Sequence, residues 1–367
     1  MVGKRLILAV MLLIIPFGVY AEPRIFAELS SFGHLLWDED EQWDFIGSAS
    51  GELDIRSQPR APVQARLQLR ATAPITVTAM YQQLVISGDD IETELEIIGA
   101  LGAGMIEVPR AHLRFRFPVT DAYSFRVTAG IDRVTWGLGS VLKAGDLLFG
   151  PDISGEHTGL AAFDEVRSET AMLFAFYFPV GDMSYTETVV RPRSGEVPDM
   201  GFRNHSAFGT VSLESAYLYR GEDAEHVFAL SSQGEWLGAD IYGGVSYTDD
   251  FHSWEDLHEG ITLTAGAFRT FRVGFDQSLN IRTEGLYSFA DDGRLLLYGD
   301  IGYIPGRTVQ LFARALVEPA DDLETAAGTG ISWNIFQGMN IRASAMSGFS
   351  TSGPKNFAVS AGAVYSF

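Results

Sequence analysis

Phe357-Ala-Val-Ser-Ala-Gly-Ala-Val-Tyr-Ser-Phe367 ends the sequence and decides how the rest is read. In steps of two it gives Phe357, Val359, Ala361, Ala363, Tyr365 and Phe367, an apolar series finishing in two aromatics. The interleaved series, Ala358, Ser360, Gly362, Val364 and Ser366, is small and partly polar. Successive side chains of a β-strand point to opposite faces, so a period of two predicts a strand with one apolar face. A tilted strand of about 9–11 residues crosses a bilayer, and this stretch has that length.

The same alternation runs upstream. Val63, Ala65, Leu67, Leu69 and Ala71 stand against Gln64, Arg66, Gln68 and Arg70. Past Ala73-Pro74, Ile75, Val77, Ala79 and Tyr81 alternate with Thr76, Thr78, Met80 and Gln82. Ala111, Leu113, Phe115 and Phe117 oppose Arg110, His112, Arg114 and Arg116, and Phe125, Val127, Ala129 and Ile131 oppose Arg126, Thr128, Gly130 and Asp132. The pattern returns over 309–317 and 341–345. A soluble sandwich also alternates. Here, however, charge fills one face in hairpin after hairpin while the other stays free of it over a spanning length. A closed membrane barrel needs that lipid-out, water-in arrangement, because closure leaves no unpaired backbone in hydrocarbon.

Residues 1–21 read as a signal peptide: Lys4 and Arg5, an apolar run from Leu6 to Val19, then Val19-Tyr20-Ala21 as a small-residue cleavage site. No later stretch holds the roughly 18 consecutive apolar residues of a membrane-spanning helix. The chain has no cysteine, which removes disulfides, thiolate metal sites and a Cys nucleophile. Its formal charge of -21 argues against nucleic acid as a partner.

With its leader, its alternating hairpins and its Phe-ending last strand, the chain resembles the porin-like family of bacterial outer-membrane β-barrels. The expected fold is all-β, a transmembrane antiparallel up-and-down barrel over residues 42–367 with about 16 strands, 18 being possible. The resemblance implies outer-membrane lipid and lipopolysaccharide as surroundings. It also implies that the barrel-assembly machinery reads Phe357, Val359, Tyr365 and Phe367 as an assembly signal, and that the protein is a monomer or a homotrimer.

Residues 22–41 form a lead-in. Ile25, Leu29, Phe32 and Leu36 recur at spacings of three and four, which predicts a short periplasmic or plug helix, or an irregular segment. The first strands are expected to ascend over 42–56, descend over 62–73 and ascend again over 75–87. Tight joins at Pro118-Val-Thr-Asp121, Val180-Gly-Asp182, Leu237-Gly238, Pro305-Gly306 and Gln337-Gly338 sit beside Phe117, Phe125, Phe178, Trp236 and Phe336, where an aromatic belt would lie. Longer acidic connections, among them Asp89 to Glu96 and Asp249 to Glu259, would face outside. Residues 180–206 leave the count open. If 183–190 crosses, a partner strand lies in 192–206 and there are eighteen; otherwise there are sixteen, the number adopted.

Three places offer chemistry. Arg66, Arg70, Arg110, His112, Arg114, Arg116, Arg126 and Asp132 share the charged phase of neighbouring strands. A water-filled lumen can hold so many guanidinium groups, and rings of basic side chains bias a pore toward anions; alternatively they form ladders that stiffen the wall. Asp132, Glu284 and Asp300 are available to pair with them. Second, the apolar segment 137–166, entered through Trp136-Gly-Leu-Gly139, resembles the constriction loop of general porins and would bring Trp136, Lys143, Asp146 and Asp152 to a narrowing; the other reading is an outer loop packed on its neighbours. Third, the acidic loops could hold divalent cations, though plain solvation accounts for most such runs. His252-Ser-Trp-Glu-Asp-Leu-His258-Glu259 matches no standard metal spacing. No cofactor motif is present: Gly137-Leu-Gly139 lacks the Lys-Ser/Thr of a phosphate loop. The seven histidines are scattered and no nucleophile motif accompanies them, so an enzyme is not expected. The function expected is passive passage of small polar or charged solutes through an Arg-lined lumen, the alternative being a non-conducting adhesin or structural surface barrel.

Overall fold

The computed structural model describes residues 23–37, 43–58, 61–74, 105–120, 123–134, 136, 170–193, 197–221, 224–249, 260–289, 293–319, 324–351 and 353–367. They build eighteen strands: β1 (Arg24–Trp37), β2 (Trp43–Arg56), β3 (Val63–Pro74), β4 (Met105–Pro118), β5 (Ser124–Asp132), β6 (Ala171–Pro179), β7 (Tyr185–Arg191), β8 (Asp199–Phe208) and β9 (Val211–Arg220) come first. The second half holds β10 (Glu225–Trp236), β11 (Ala239–Asp249), β12 (Ile261–Arg272), β13 (Ser278–Ser288), β14 (Arg294–Ile304), β15 (Val309–Glu318), β16 (Glu324–Phe336), β17 (Met339–Ser350) and β18 (Gly353–Ser366). Each pairs antiparallel with the next, and β18 returns to pair with β1, closing one barrel.

The seam is continuous. β1 and β18 run in register from Glu28↔Ser366 to Trp37↔Phe357. Beyond it the Ala27 and Phe367 amides each donate to the other's carbonyl, at 2.9 and 2.8 Å. The 24–36 helix is therefore replaced by a strand. Its apolar residues suit helix spacing because Phe26 and Phe32 lie on the same face as Asp54 and Ser48 of β2, among polar neighbours, and blur the period of two. Pairing both neighbouring edges outweighs that local pattern.

This extra strand also reverses two directions. With β1 in the wall, β2 runs toward the rim of tight turns and β3 away from it, opposite to the expectation for 42–56 and 62–73. β3 pairs directly with β4, so both meet the rim where residues 75–104 connect them. The strand expected over 75–87 lies outside the described residues. β7 and β8 pair with each other and with β6 and β9, which makes the count eighteen, the larger of the two readings.

Which face is inner follows from the residues. One set carries buried Asp54, Gln68, His112, Thr128, Asp132, Asp199, Glu214 and Glu284. The other carries exposed Leu29, Leu53, Phe174, Phe176, Leu230, Leu263, Leu297, Ile301 and Leu311. Among the strand residues whose side chains are described, the outward set contains one of Asp, Glu, Lys and Arg: Arg269. The five tight joins read from the sequence share one rim, bordered by outward Phe117, Phe125, Phe178, Trp236, Phe271, Tyr365 and Phe367; Phe125 contacts both Phe117 and Phe178 at ring separations of 6.0 and 6.3 Å. The two-residue turn at Leu237-Gly238 has φ of 52° and 72°, the pair of positive values that matches the twist of an antiparallel hairpin. At the opposite rim β4 is bulged: Gln68 faces Arg110 but Arg70 faces Glu107, and the extra residue falls at Val108-Pro109, where proline has no amide to leave unpaired.

Candidate functional site: a basic wall inside the barrel

The cross-strand pairs put the basic residues on one stretch of inner wall. Arg56 faces Arg66, Arg66 faces His112, Gln64 faces Arg114, and Arg116 faces Arg126. Thus Arg66, Arg70, Arg110, His112, Arg114, Arg116, Arg126 and Asp132 all lie on the inner face of β3–β5.

Much of this charge is held in ion pairs. Asp54, its side chain 5% exposed, accepts from Arg56 and from Arg66, the latter through Nε at 3.0 Å and Nη2 at 2.6 Å. Glu52 accepts from Gln68 at 2.6 Å and from Arg70 at 3.2 Å, and Glu107 stands 3.9 Å from Arg70. Asp132 gathers Arg110 at 3.5 Å, Arg114 at 3.9 Å and His112 Nδ1 at 3.2 Å. Arg114 also donates to Thr128 at 3.1 Å. From Glu52 to Asp132, the inner faces of β2–β5 bring Arg56, Arg66, Arg70, Arg110, Arg114, Arg116 and Arg126 against Glu52, Asp54, Glu107 and Asp132, a surplus of positive charge.

That surplus sits at Arg116 and Arg126. They are directly opposite each other on β4 and β5, and like charges so placed repel. Neither has a carboxylate partner among the described residues, and the buried Nε of Arg116 makes no hydrogen bond among them. Arg126 lies over the Tyr177 ring at 3.6 Å, and Tyr177, Tyr185 and His205 continue as a stack, with centroids 4.8 and 5.0 Å apart, along the inner faces of β6–β8.

Trp136 begins the segment expected to narrow the channel. It is 1% exposed, donates Nε1 to Glu187 at 3.0 Å and has the Arg203 guanidinium 5.4 Å from its ring. Around it pack Ala171, Leu173, Ala175, Val189, Ala216, Leu218 and Val227, all on the inner faces of β6–β10. The chain therefore turns inward after β5, onto the wall next to the basic stretch. Lys143, Asp146 and Asp152 lie outside the described residues, as do residues 1–21, the acidic run 38–41 and His252 to Glu259.

Sequence reasoning missed several partners. Glu52 and Asp54 share the phase of Arg56 in the alternation of β2, so the signal was there to read. Glu187, Asp199 and Arg203 fall within 180–206, where the strand count was open and no face could be assigned, and Glu214 is their neighbour on the next strand. In the barrel Arg203 bridges Glu187 at 2.6 Å and Glu214 at 3.4 Å, while Asp199 accepts from Arg193 and from the Gly221 amide, each at 2.9 Å. Of the acids offered to the arginines, Asp132 does pair with them. Asp300 instead accepts from Arg314 at 2.7 Å, and Glu284 faces Tyr298 across the β13–β14 ladder, because both belong to strands far around the barrel.

No protein-family model matches the sequence, and no curated protein matches it either. Solved structures do match the fold. OpdK, an outer-membrane protein of Pseudomonas aeruginosa, superposes with a TM-score of 0.57 at 8% identity, covering 94% of this chain and 99% of its own. The chain folds as a porin-like outer-membrane barrel. OpdL of the same organism gives 0.59 at 11% identity, with 94% and 99% covered, and OccAB4 of Acinetobacter baumannii gives 0.55 at 8%, with 94% and 98%. At such identities the likeness is one of fold.

Proposed function

We propose that the protein spans the bacterial outer membrane, embedded in its lipid and lipopolysaccharide after insertion by the barrel-assembly machinery, and passes small polar or charged solutes, anions before cations. The observation that carries this is the Arg116–Arg126 pair: two guanidinium groups in register, without a carboxylate among the described residues, on the inner wall of an eighteen-strand barrel. Barrels of about 16–18 strands leave an aqueous channel, and rings of basic side chains inside a pore favour anions. OpdK has been crystallised with vanillate, a carboxylate, which fits the same preference. The apolar patch around Trp136 favours a second reading, a barrel closed by the segment that follows.

Conductance in a planar bilayer separates the two. The channel reading expects discrete steps from folded protein; a silent bilayer supports the closed barrel. Under a salt gradient the reversal potential should report anion preference. Removing charge by Arg114→Ala with Arg116→Ala, or by Arg116→Ala with Arg126→Ala, should move it toward cations. An unchanged potential would place these side chains off the path.

A further inference from the structure

We propose that Arg269 binds the phosphate of a phospholipid headgroup on the outside of the barrel. The proposal rests on the membrane-spanning reading and not on conduction. Arg269 lies on the outward face of β12, since Phe268 and Thr270 on either side of it are inward, paired with Arg282 and Asn280. Among the strand residues whose side chains are described it is the one charged residue that faces outward, and it stands near the tight-turn rim, three residues before the end of β12. No carboxylate pairs with it among the described residues. An ionised side chain facing hydrocarbon is costly, and the cost falls to nearly nothing where it reaches the headgroups.

Its surroundings are those of such a headgroup site. The guanidinium carbon lies 4.6 Å from the centroid of the Phe271 ring. Its Nη2 comes within 3.6 Å of where a Cβ on Gly238 would sit, so it rests against the Leu237-Gly238 turn. Trp236, Leu237, Phe271, Val273 and Phe275 are all exposed around it, Phe275 to 99%. Large apolar side chains on turns at the edge of the apolar band are suited to lie among lipid rather than in water. A cation at that depth, without a carboxylate partner among the described residues and beside an aromatic ring, matches a phosphate with acyl chains beneath it. The site thereby assigns the tight-turn rim to the phospholipid leaflet.

Native mass spectrometry of the folded protein with phosphatidylglycerol tests this, with lipid A as a second arm. Wild type should retain phosphatidylglycerol about five-fold better than Arg269→Gln, the weight of one cationic side chain at an anionic lipid surface, while Arg269→Lys keeps most of the retention. Equal retention by wild type and Arg269→Gln overturns the site, and preferential loss of lipid A in the variant overturns the choice of leaflet. Heat-dependent gel mobility establishes that each variant is folded. Single-channel conductance should not change, which separates this outcome from any failure of the channel reading.

Discussion

Asp54 shows how much of the inner wall depends on single carboxylates. It is nearly buried and accepts from two arginines on adjacent strands, so removing its charge leaves Arg56 and Arg66 facing each other in register. Asp54→Asn should destabilise the barrel by about 1–3 kcal/mol, the range for leaving a buried charged partner unsatisfied, read as a lower urea midpoint for unfolding from vesicles. Trp136 acts by volume. Its replacement by alanine empties the centre of the apolar patch on β6–β10 and should cost about 3–5 kcal/mol if the neighbours do not collapse. Glu187→Gln keeps the volume but weakens the acceptor held by Trp136 and Arg203. In the channel reading its expected signature is noisier single-channel current with little loss of stability.

At the scale of the strand, the amount legible in the sequence tracked how cleanly each element separates its faces. β3, β4, β5 and β15 alternate without exception on the outward side, because lipid admits only apolar groups there, and their limits could be read to within a few residues. β8 was harder. Its outward set, Met200, Phe202, Asn204, Ser206 and Phe208, includes two polar residues, and its inward set includes Gly201, so neither face is pure. β1 was lost for the converse reason, its inward Phe26 and Phe32. The site was legible as a charged phase but not as a set of pairs, since which carboxylate meets which arginine depends on register between strands. Phe32 itself explains the neighbouring glycine: its ring lies across Gly362 of β18, where a Cβ would come within 2.1 Å of it. Gly362→Ala should therefore displace the ring and cost about 1–3 kcal/mol. Gly299→Ala on the outward face of β14, with nothing within 4 Å of its Cβ, should stay within about 0.5 kcal/mol. Parallel urea titrations of the two variants compare them directly.

For the whole molecule, closure matters most. Every other strand pairs with its successor in sequence, but the β1–β18 seam joins residues as distant as Glu28 and Ser366, 338 positions apart. Besides the backbone ladder it is held on the inner face by Ser366 donating to Glu28 at 2.9 Å and by a 2.8 Å bond between His34 and Ser360. Deleting Phe367 removes both bonds to Ala27 and one rim aromatic. The expected result is slower assembly, measured as the folded fraction against time in vesicles, with unchanged conductance for the molecules that do assemble. Long-range pairing forms late, because loop closure must precede any gain from the contact. Until then β1 and β18 are open edges, each offering unpaired amides and carbonyls to whatever strand arrives first. An edge of another copy can satisfy them equally well, so the same seam that completes one barrel also makes strand exchange between copies the characteristic misassembly. The proportion of exchanged dimers should therefore rise with protein concentration during refolding.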